Sequence, residues 1–188
     1  MFSGDVQMWM GGIHATECVE ITDDPTQLSD GSFWAVAITF EGEARFARFA
    51  KVSHSDFPSY EWGSLAGKWK SSLTEKQYCE YVEEIRETIA SGGVYQVNAC
   101  RELEIATTNG SLKGLFSQLL KFNPAEFAGY FSINGMEIAS ASPERFLSRN
   151  GKSILTSPIK GTIRGDENEF GEKDKAENLM IVDLMGVS

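Results

Sequence analysis

Three ionisable residues in the second half of the chain stand out by position. Glu144 lies in ASPERF, between two stretches that each read as a β-hairpin. Lys160 lies in PIKGT, at the end of an apolar, β-branched run and just before a Gly-Thr pair. Glu177 lies in AENLMIVDL, close to Leu179 and Met180. A carboxyl group held neutral can protonate a leaving group, and an amine held unprotonated can act as a nucleophile. A carboxylate is also a natural ligand for a hard divalent cation. Each residue has a plainer reading beside the chemical one. Glu144 could cap a turn, Lys160 could snorkel from the end of a strand, and Glu177 could sit on the wet face of a helix. Composition alone favours the plainer three.

The elements that must hold these residues are legible from periodicity. GSFWAVAITF (31–40) is rich in aromatic and β-branched residues and reads as a strand. Glu41-Gly42-Glu43 turns it and ARFARFAKV (44–52) returns, an antiparallel hairpin; residues 53–73 read as a connecting segment. TEKQYCEYVEEIRETIASGG reads as a helix, with Thr74 and Gln77 in the capping-box pattern and Gly92-Gly93 as the stop. Tyr78, Val82, Ile85 and Ile89 make its apolar face. VYQVNACRELEI (94–105) follows as a predicted strand, with Val94, Gln96, Asn98 and Cys100 on one face. Spacing alone favours water for the two amides.

SLKGLFSQLLK (111–121) reads as a second amphipathic helix, capped by Ser111, with Leu112, Leu115, Phe116 and Leu119 inward. AGYFSI (128–133) and MEIASAS (136–142) flank Asn134-Gly135, a pair suited to a type I′ turn. RFLSR (145–149), Asn150-Gly151 and KSILTSPI (152–159) make a second hairpin, and GEKDKAENLMIVDLM (171–185) reads as a helix. The sum is an α+β fold, mainly antiparallel sheets with packed helices.

With 188 residues and 41% hydrophobic content the chain can bury one real core. A formal net charge of −10 argues against nucleic acid, where affinity comes from Lys and Arg on phosphates, and against anionic membranes. No apolar run reaches bilayer length, and MFSGDVQMWMGG has neither the positive region nor the apolar run of a secretion signal, so a cytoplasmic location is expected. Cys18, Cys79 and Cys100 are odd in number and far apart, and read as three buried thiols in a reducing compartment. His14 and His54 lack a His or Cys partner at ligand spacing and receive no role.

ASPERFL, PIKGT and AENLMIVDL, in this order and preceded by YQVN (95–98), resemble the chorismate-utilising enzymes, which include anthranilate synthase component I, aminodeoxychorismate synthase component I, and the isochorismate and salicylate synthases. The resemblance covers 74–185; over the first 60 residues the reading rests on pattern alone. It implies an anthranilate synthase component I-like chorismate-binding fold that takes chorismate, a small dicarboxylate, with Mg²⁺. Glu177 matches the first of two metal-binding glutamates, Gly161 and Thr162 the pair that contacts chorismate, and Glu144 the general acid that protonates the leaving hydroxyl. That acid must be held neutral by burial or by its neighbours.

Lys160 resembles the aminodeoxychorismate synthase branch, since the anthranilate and isochorismate synthases usually carry a small residue there. In that branch the lysine attacks the ring at C2, forming a covalent adduct before ammonia adds at C4. Gln96 stands where the isochorismate and salicylate synthases have a water-activating lysine, which argues for ammonia as nucleophile. Asn98 also matches this branch, and the resemblance places both amides in the site. No glutaminase Cys-His pattern is present, so a separate glutamine amidotransferase is expected to supply the ammonia.

The match departs from the family at the end. Where the family helix continues into an Arg-Asn-Asp segment this chain reads VDLMGVS, and the loop from Arg164 to the last helix is short. The second metal glutamate and the arginine and tyrosine that grip the substrate carboxylates have no counterpart here. The expectation is a truncated aminodeoxychorismate synthase component I: residues 1–60 a β-rich segment without assigned role, and 61–188 the N-terminal part of the chorismate-binding catalytic domain, with little or no turnover alone. Anthranilate synthase component I and a non-catalytic fragment of the family stand as alternatives.

Overall fold

Alternation of apolar and polar side chains makes antiparallel β-strands the larger share of the regular secondary structure among the described residues. The computed structural model describes residues 5–65, 67–107, 110–158, 179–181 and 183. In chain order the elements are β1 (Gln7–Met10), β2 (Ile13–Thr22), a 3-10 turn (Pro25–Ser29), β3 (Phe33–Ile38), β4 (Ala44–His54), β5 (Lys70–Ser71), α1 (Glu75–Ala90), β6 (Leu103–Glu104), α2 (Lys113–Phe122), β7 (Phe127–Ile133), β8 (Met136–Ser142), β9 (Arg145–Asn150) and β10 (Ser153–Ser157). Leu179, Met180, Ile181 and Asp183 are helical, within the helix expected at 171–185. The expected α+β class is what this architecture is. No described helix is long and apolar enough to cross a membrane.

The chain divides into two units, Met1–Trp62 with Ser111–Ser188, and Gly63–Gly110. In the larger unit six strands form one sheet in the order β3-β4-β2-β1-β7-β8. Four of the six, β1 to β4, come from the first 60 residues. The hairpins expected at 31–52 and 128–142 are both present. Asn134 and Gly135 adopt φ of 47° and 79°, which the I′ turn between β7 and β8 requires.

The two-residue period of the strands splits the side chains between two cores. Met8, Ala15, Ala35, Ala47, Phe49, Phe131 and Ile133 gather on one face of the sheet. Trp9, Ala128 and Tyr130 point to the other, where α2 covers them with Leu112, Phe116, Leu119 and Leu120. Phe116 is fully buried, its ring centroid 4.7 Å from Phe57, 5.7 Å from Trp9 and 5.8 Å from Tyr130. Ser111 is not the N-cap expected of it, since α2 begins after Leu112, which has no side-chain cap; Ser111 Oγ, one residue earlier, accepts from Lys113 N at 3.2 Å and donates to Glu137 at 3.0 Å. The same Glu137 carboxylate accepts from Leu112 N, which places negative charge at the positive end of the helix.

The second hairpin forms, one residue out of the expected register. Asn150 pairs with Ser153, so the turn residues are Gly151-Lys152 and not Asn150-Gly151. Gly151, at φ 60°, takes the first central position, which leaves Asn150 free to extend β9.

In the smaller unit α1 carries the capping box read from the sequence, Thr74 with Gln77. Tyr78, Val82 and Ile85 are half-buried, while Ile89 is exposed. The strand expected over 94–105 is reduced to Leu103–Glu104, paired with Lys70–Ser71. A strand is held by its ladder, and β5 offers only two residues of one. Tyr78 Oη donates to Ala99 O at 3.3 Å and holds part of the remaining segment. The thiols also differ from expectation: Cys79 and Cys100 are exposed and Cys18 is half-buried, because Cys79 lies beside the apolar stripe of α1 and Cys100 on a segment without a neighbouring strand.

Gly114 tests the seating of α2. A Cβ built there would lie 2.2 Å from Glu61 O and 2.8 Å from Glu61 C, both backbone atoms that yield poorly. Helix propensity alone would make Gly114→Ala stabilising by about 1 kcal/mol. The clash reverses the sign, to a loss of about 2 kcal/mol. In urea unfolding the midpoint should fall with the slope unchanged; a midpoint that stays or rises would show that α2 sits further from Glu61.

Candidate functional site

Glu144 is where the sequence put it, at the junction of two hairpins. β8 ends at Ser142 and β9 begins at Arg145, leaving Pro143-Glu144 as the link. Ser142 Oγ donates to the Glu144 carbonyl at 2.9 Å and tightens this turn. The β9–β10 pair is a separate two-stranded sheet, outside the six-stranded ladder.

Glu144 lines an open hollow of about 620 Å³. Its walls are apolar, with Met8 and Met10 from β1, Val36 and Ile38 from β3, Phe131 from β7 and Ile138 from β8. Ser140, Ser142, Glu144 and Arg145 supply polar groups. β3 and β8 stand at opposite ends of the strand order yet line one hollow, so the sheet is strongly coiled. Apolar walls with a few convergent polar groups suit a small organic ligand. The Glu144 side chain is exposed, so the described residues do not supply the burial expected to hold it neutral.

Arg145, beside it, was not singled out in the sequence. Its guanidinium lies 4.9 Å from the centre of the Phe127 ring, and Nη2 donates to Ser157 Oγ at 3.2 Å. Its Nε is buried with no hydrogen-bond partner among the described residues. Thr156 Oγ1 donates to Arg145 O at 3.3 Å.

Lys160, Gly161, Thr162 and Glu177 lie outside the described residues, which reach Pro158 on that side. Gln96 is half-buried and Asn98 exposed, both in the smaller unit and both outside any strand. No group of three or more His, Cys, Asp and Glu side chains gathers among the described residues.

Tyr130 is the other titratable group the sequence reading passed over. It is 1% exposed. Burial pushes its phenol up to about 12, and the charge of Glu137 adds to the rise; its Oη is buried with no hydrogen-bond partner among the described residues. Its place in a strand that alternates Ala128, Tyr130 and Ser132 with Gly129 and Phe131 could have marked it as inward-facing.

The family model of chorismate binding enzymes matches residues 27–186. Aminodeoxychorismate synthase component 1 of Escherichia coli (strain K12) is 37% identical over 150 residues, covering 74% of this chain and 33% of that protein. The protein of the same name from Bacillus subtilis (strain 168) is 34% identical over 131 residues, 63% of this chain and 27% of that one. Anthranilate synthase component 1 of Geobacillus stearothermophilus is 28% identical over 135 residues, 66% and 26%. The chain therefore spans about a third or less of the length of the curated relatives it matches.

The raised phenol has a consequence for stability. A tyrosine in the unfolded chain ionises near its ordinary value of about 10, whereas folded Tyr130 keeps its proton to about 12. Above pH 10 the unfolded state binds fewer protons, so stability falls as pH rises. Spectrophotometric titration should show one tyrosine lagging the rest by about two pH units, and the unfolding midpoint should drop between pH 10 and 12. A Tyr130→Phe variant should lose that drop; if it keeps it, another group is responsible.

Proposed function

The chain belongs to the family of chorismate binding enzymes, and on that premise we propose that it carries the front part of an aminodeoxychorismate synthase component I. The reaction replaces the 4-hydroxyl of chorismate with an amino group, giving 4-amino-4-deoxychorismate on the route to para-aminobenzoate and folate. The observation that carries this reading is Lys160 in PIKGT. It is supported by the higher identity to the relatives of that name, 37% and 34%, than to the anthranilate synthase, 28%.

In this reading the unprotonated amine of Lys160 bonds to C2 of the ring as the C4 hydroxyl leaves, protonated by Glu144 to water. Ammonia then bonds to C4 and Lys160 is expelled from C2, so the balance is chorismate plus ammonia to product plus water. Gly161 and Thr162 contact the substrate, through close backbone approach and a hydroxyl donor. Glu177 is assigned to Mg²⁺ because a hard cation prefers carboxylate oxygen. The ammonia comes from a glutamine amidotransferase; the relatives' designation as component 1 fits a second component. A cytoplasmic location fits three free thiols.

Chorismate, ammonium and Mg²⁺ incubated with the chain at alkaline pH, followed by chromatography and mass analysis, test this. Aminodeoxychorismate is expected from the wild type at low turnover and from Lys160→Ala not at all. Glu144→Gln should lower the rate about a hundredfold or more. Amination that survives Lys160→Ala, or anthranilate as product, would move the chain to the anthranilate branch. A wild type that binds no chorismate would leave a non-catalytic member of the family.

A further inference from the structure

We propose that Arg145 is a positioning residue for Glu144. This rests on the function proposed above, and the observations that carry it lie in the turn itself. Glu144 is carried on a two-residue link between the six-stranded sheet and the β9–β10 hairpin, which among the described residues has no ladder to that sheet. A two-stranded hairpin has few contacts of its own to hold it, and this one leaves Phe146, Leu147, Ile154 and Leu155 largely exposed. The direction of Glu144 therefore depends on how β9 is held at its first residue.

Arg145 spans the joint. Its guanidinium lies over Phe127 at the start of β7, its Nη2 donates to Ser157 on β10, and its carbonyl accepts from Thr156 Oγ1. The ladder is irregular at this point. Leu155 faces Ser148 and Ser157 faces Arg145, so Phe146 and Leu147 stand opposite the single Thr156. Bulges of this kind bend a strand and re-aim neighbouring side chains. The bulge bends β9 one residue after Arg145, and the Arg145–Ser157 bond closes it from the Glu144 side. With the guanidinium over Phe127, the buried Nε is left with no hydrogen-bond partner among the described residues. A lysine would keep the charge and the ring contact without the planar fork that reaches Ser157.

Arg145→Lys, Ser157→Ala and the double variant separate positioning from bulk stability. With chorismate and ammonium, each single variant should lower kcat about tenfold while KM stays within about twofold. The double variant should be no worse than Arg145→Lys, since both remove one contact. Amide exchange read by mass spectrometry should accelerate about tenfold in 144–157 and stay unchanged in β7 and in β1. Additive losses in kcat, a change confined to KM, or unchanged exchange in 144–157 would each overturn the assignment. If the wild type forms no product, the proposed function fails by itself and the exchange data decide alone: local acceleration in both variants supports the clamp, and unchanged or sheet-wide exchange removes it.

Discussion

In the larger unit, four residues join two halves of a sheet. β1 pairs with β2 on one side and β7 on the other, and among the described strands it alone links β3-β4-β2 to β7-β8. Both its ladders are antiparallel, so its backbone groups are used on both edges. Its side chains alternate between the two cores: Met8 joins Phe131 and Phe49, and Trp9 joins Phe116 and Tyr130. The polar atoms around it are tied in. Trp9 Nε1 donates to Ser55 O at 2.8 Å, and buried Gln7 donates to Asp5, which in turn pairs with Lys113 at the start of α2. A break in β1 would therefore uncover both cores at once and unseat the helix.

That joint also sets the hollow beside Glu144. β8 reaches the hollow only because β7 is aligned on β1, with Met8 opposite Phe131 and Met10 opposite Gly129. A Cβ at Gly129 would come 3.0 Å from the terminal methyl of Met10, a flexible and exposed side chain that can give way. β3 arrives from the far edge through β4 and β2. The walls are thus assembled from sequence positions more than a hundred residues apart, and Glu144 projects from the turn where the coiled sheet ends. Its link leaves the sheet directly after β8, so its height above the hollow follows from the length of β8 and its direction from what holds β9.

Parts of the fold were legible because the signal is local. Thr74 with Gln77 defines the start of α1 whatever surrounds it, and Asn134-Gly135 selects its turn from backbone sterics. β1 and β2 were not read, although Gly11-Gly12 separates two runs that both extend, because Glu17, Glu20 and His14 dilute the apolar alternation along β2. The reverse error came over 94–102. Its alternation is clear, but alternation specifies which faces a strand would have and supplies no neighbour to pair with. The shifted turn at Gly151-Lys152 is a smaller case of the same kind: Asn150-Gly151 is a good turn pair, yet glycine at the first central position lets Asn150 remain in the ladder.

The site divides along the same line. The position of Glu144 between two hairpins followed from the turns on either side, while its chemical role rests on the motif ASPERF. What holds it could not be found that way. Arg145 meets Phe127, eighteen residues earlier, and Ser157, twelve residues later, and neither spacing belongs to any period of helix or strand. The exposure of Glu144 is equally a tertiary fact: ASPERF reads the same whether the turn lies under another layer or, as here, at the open side of a coiled sheet. In the function proposed for it, Glu144 protonates a leaving hydroxyl, a step that exclusion of water assists. The apolar walls on one side of Glu144 begin that exclusion, and a bound substrate with its own ring and carboxylates would have to complete it.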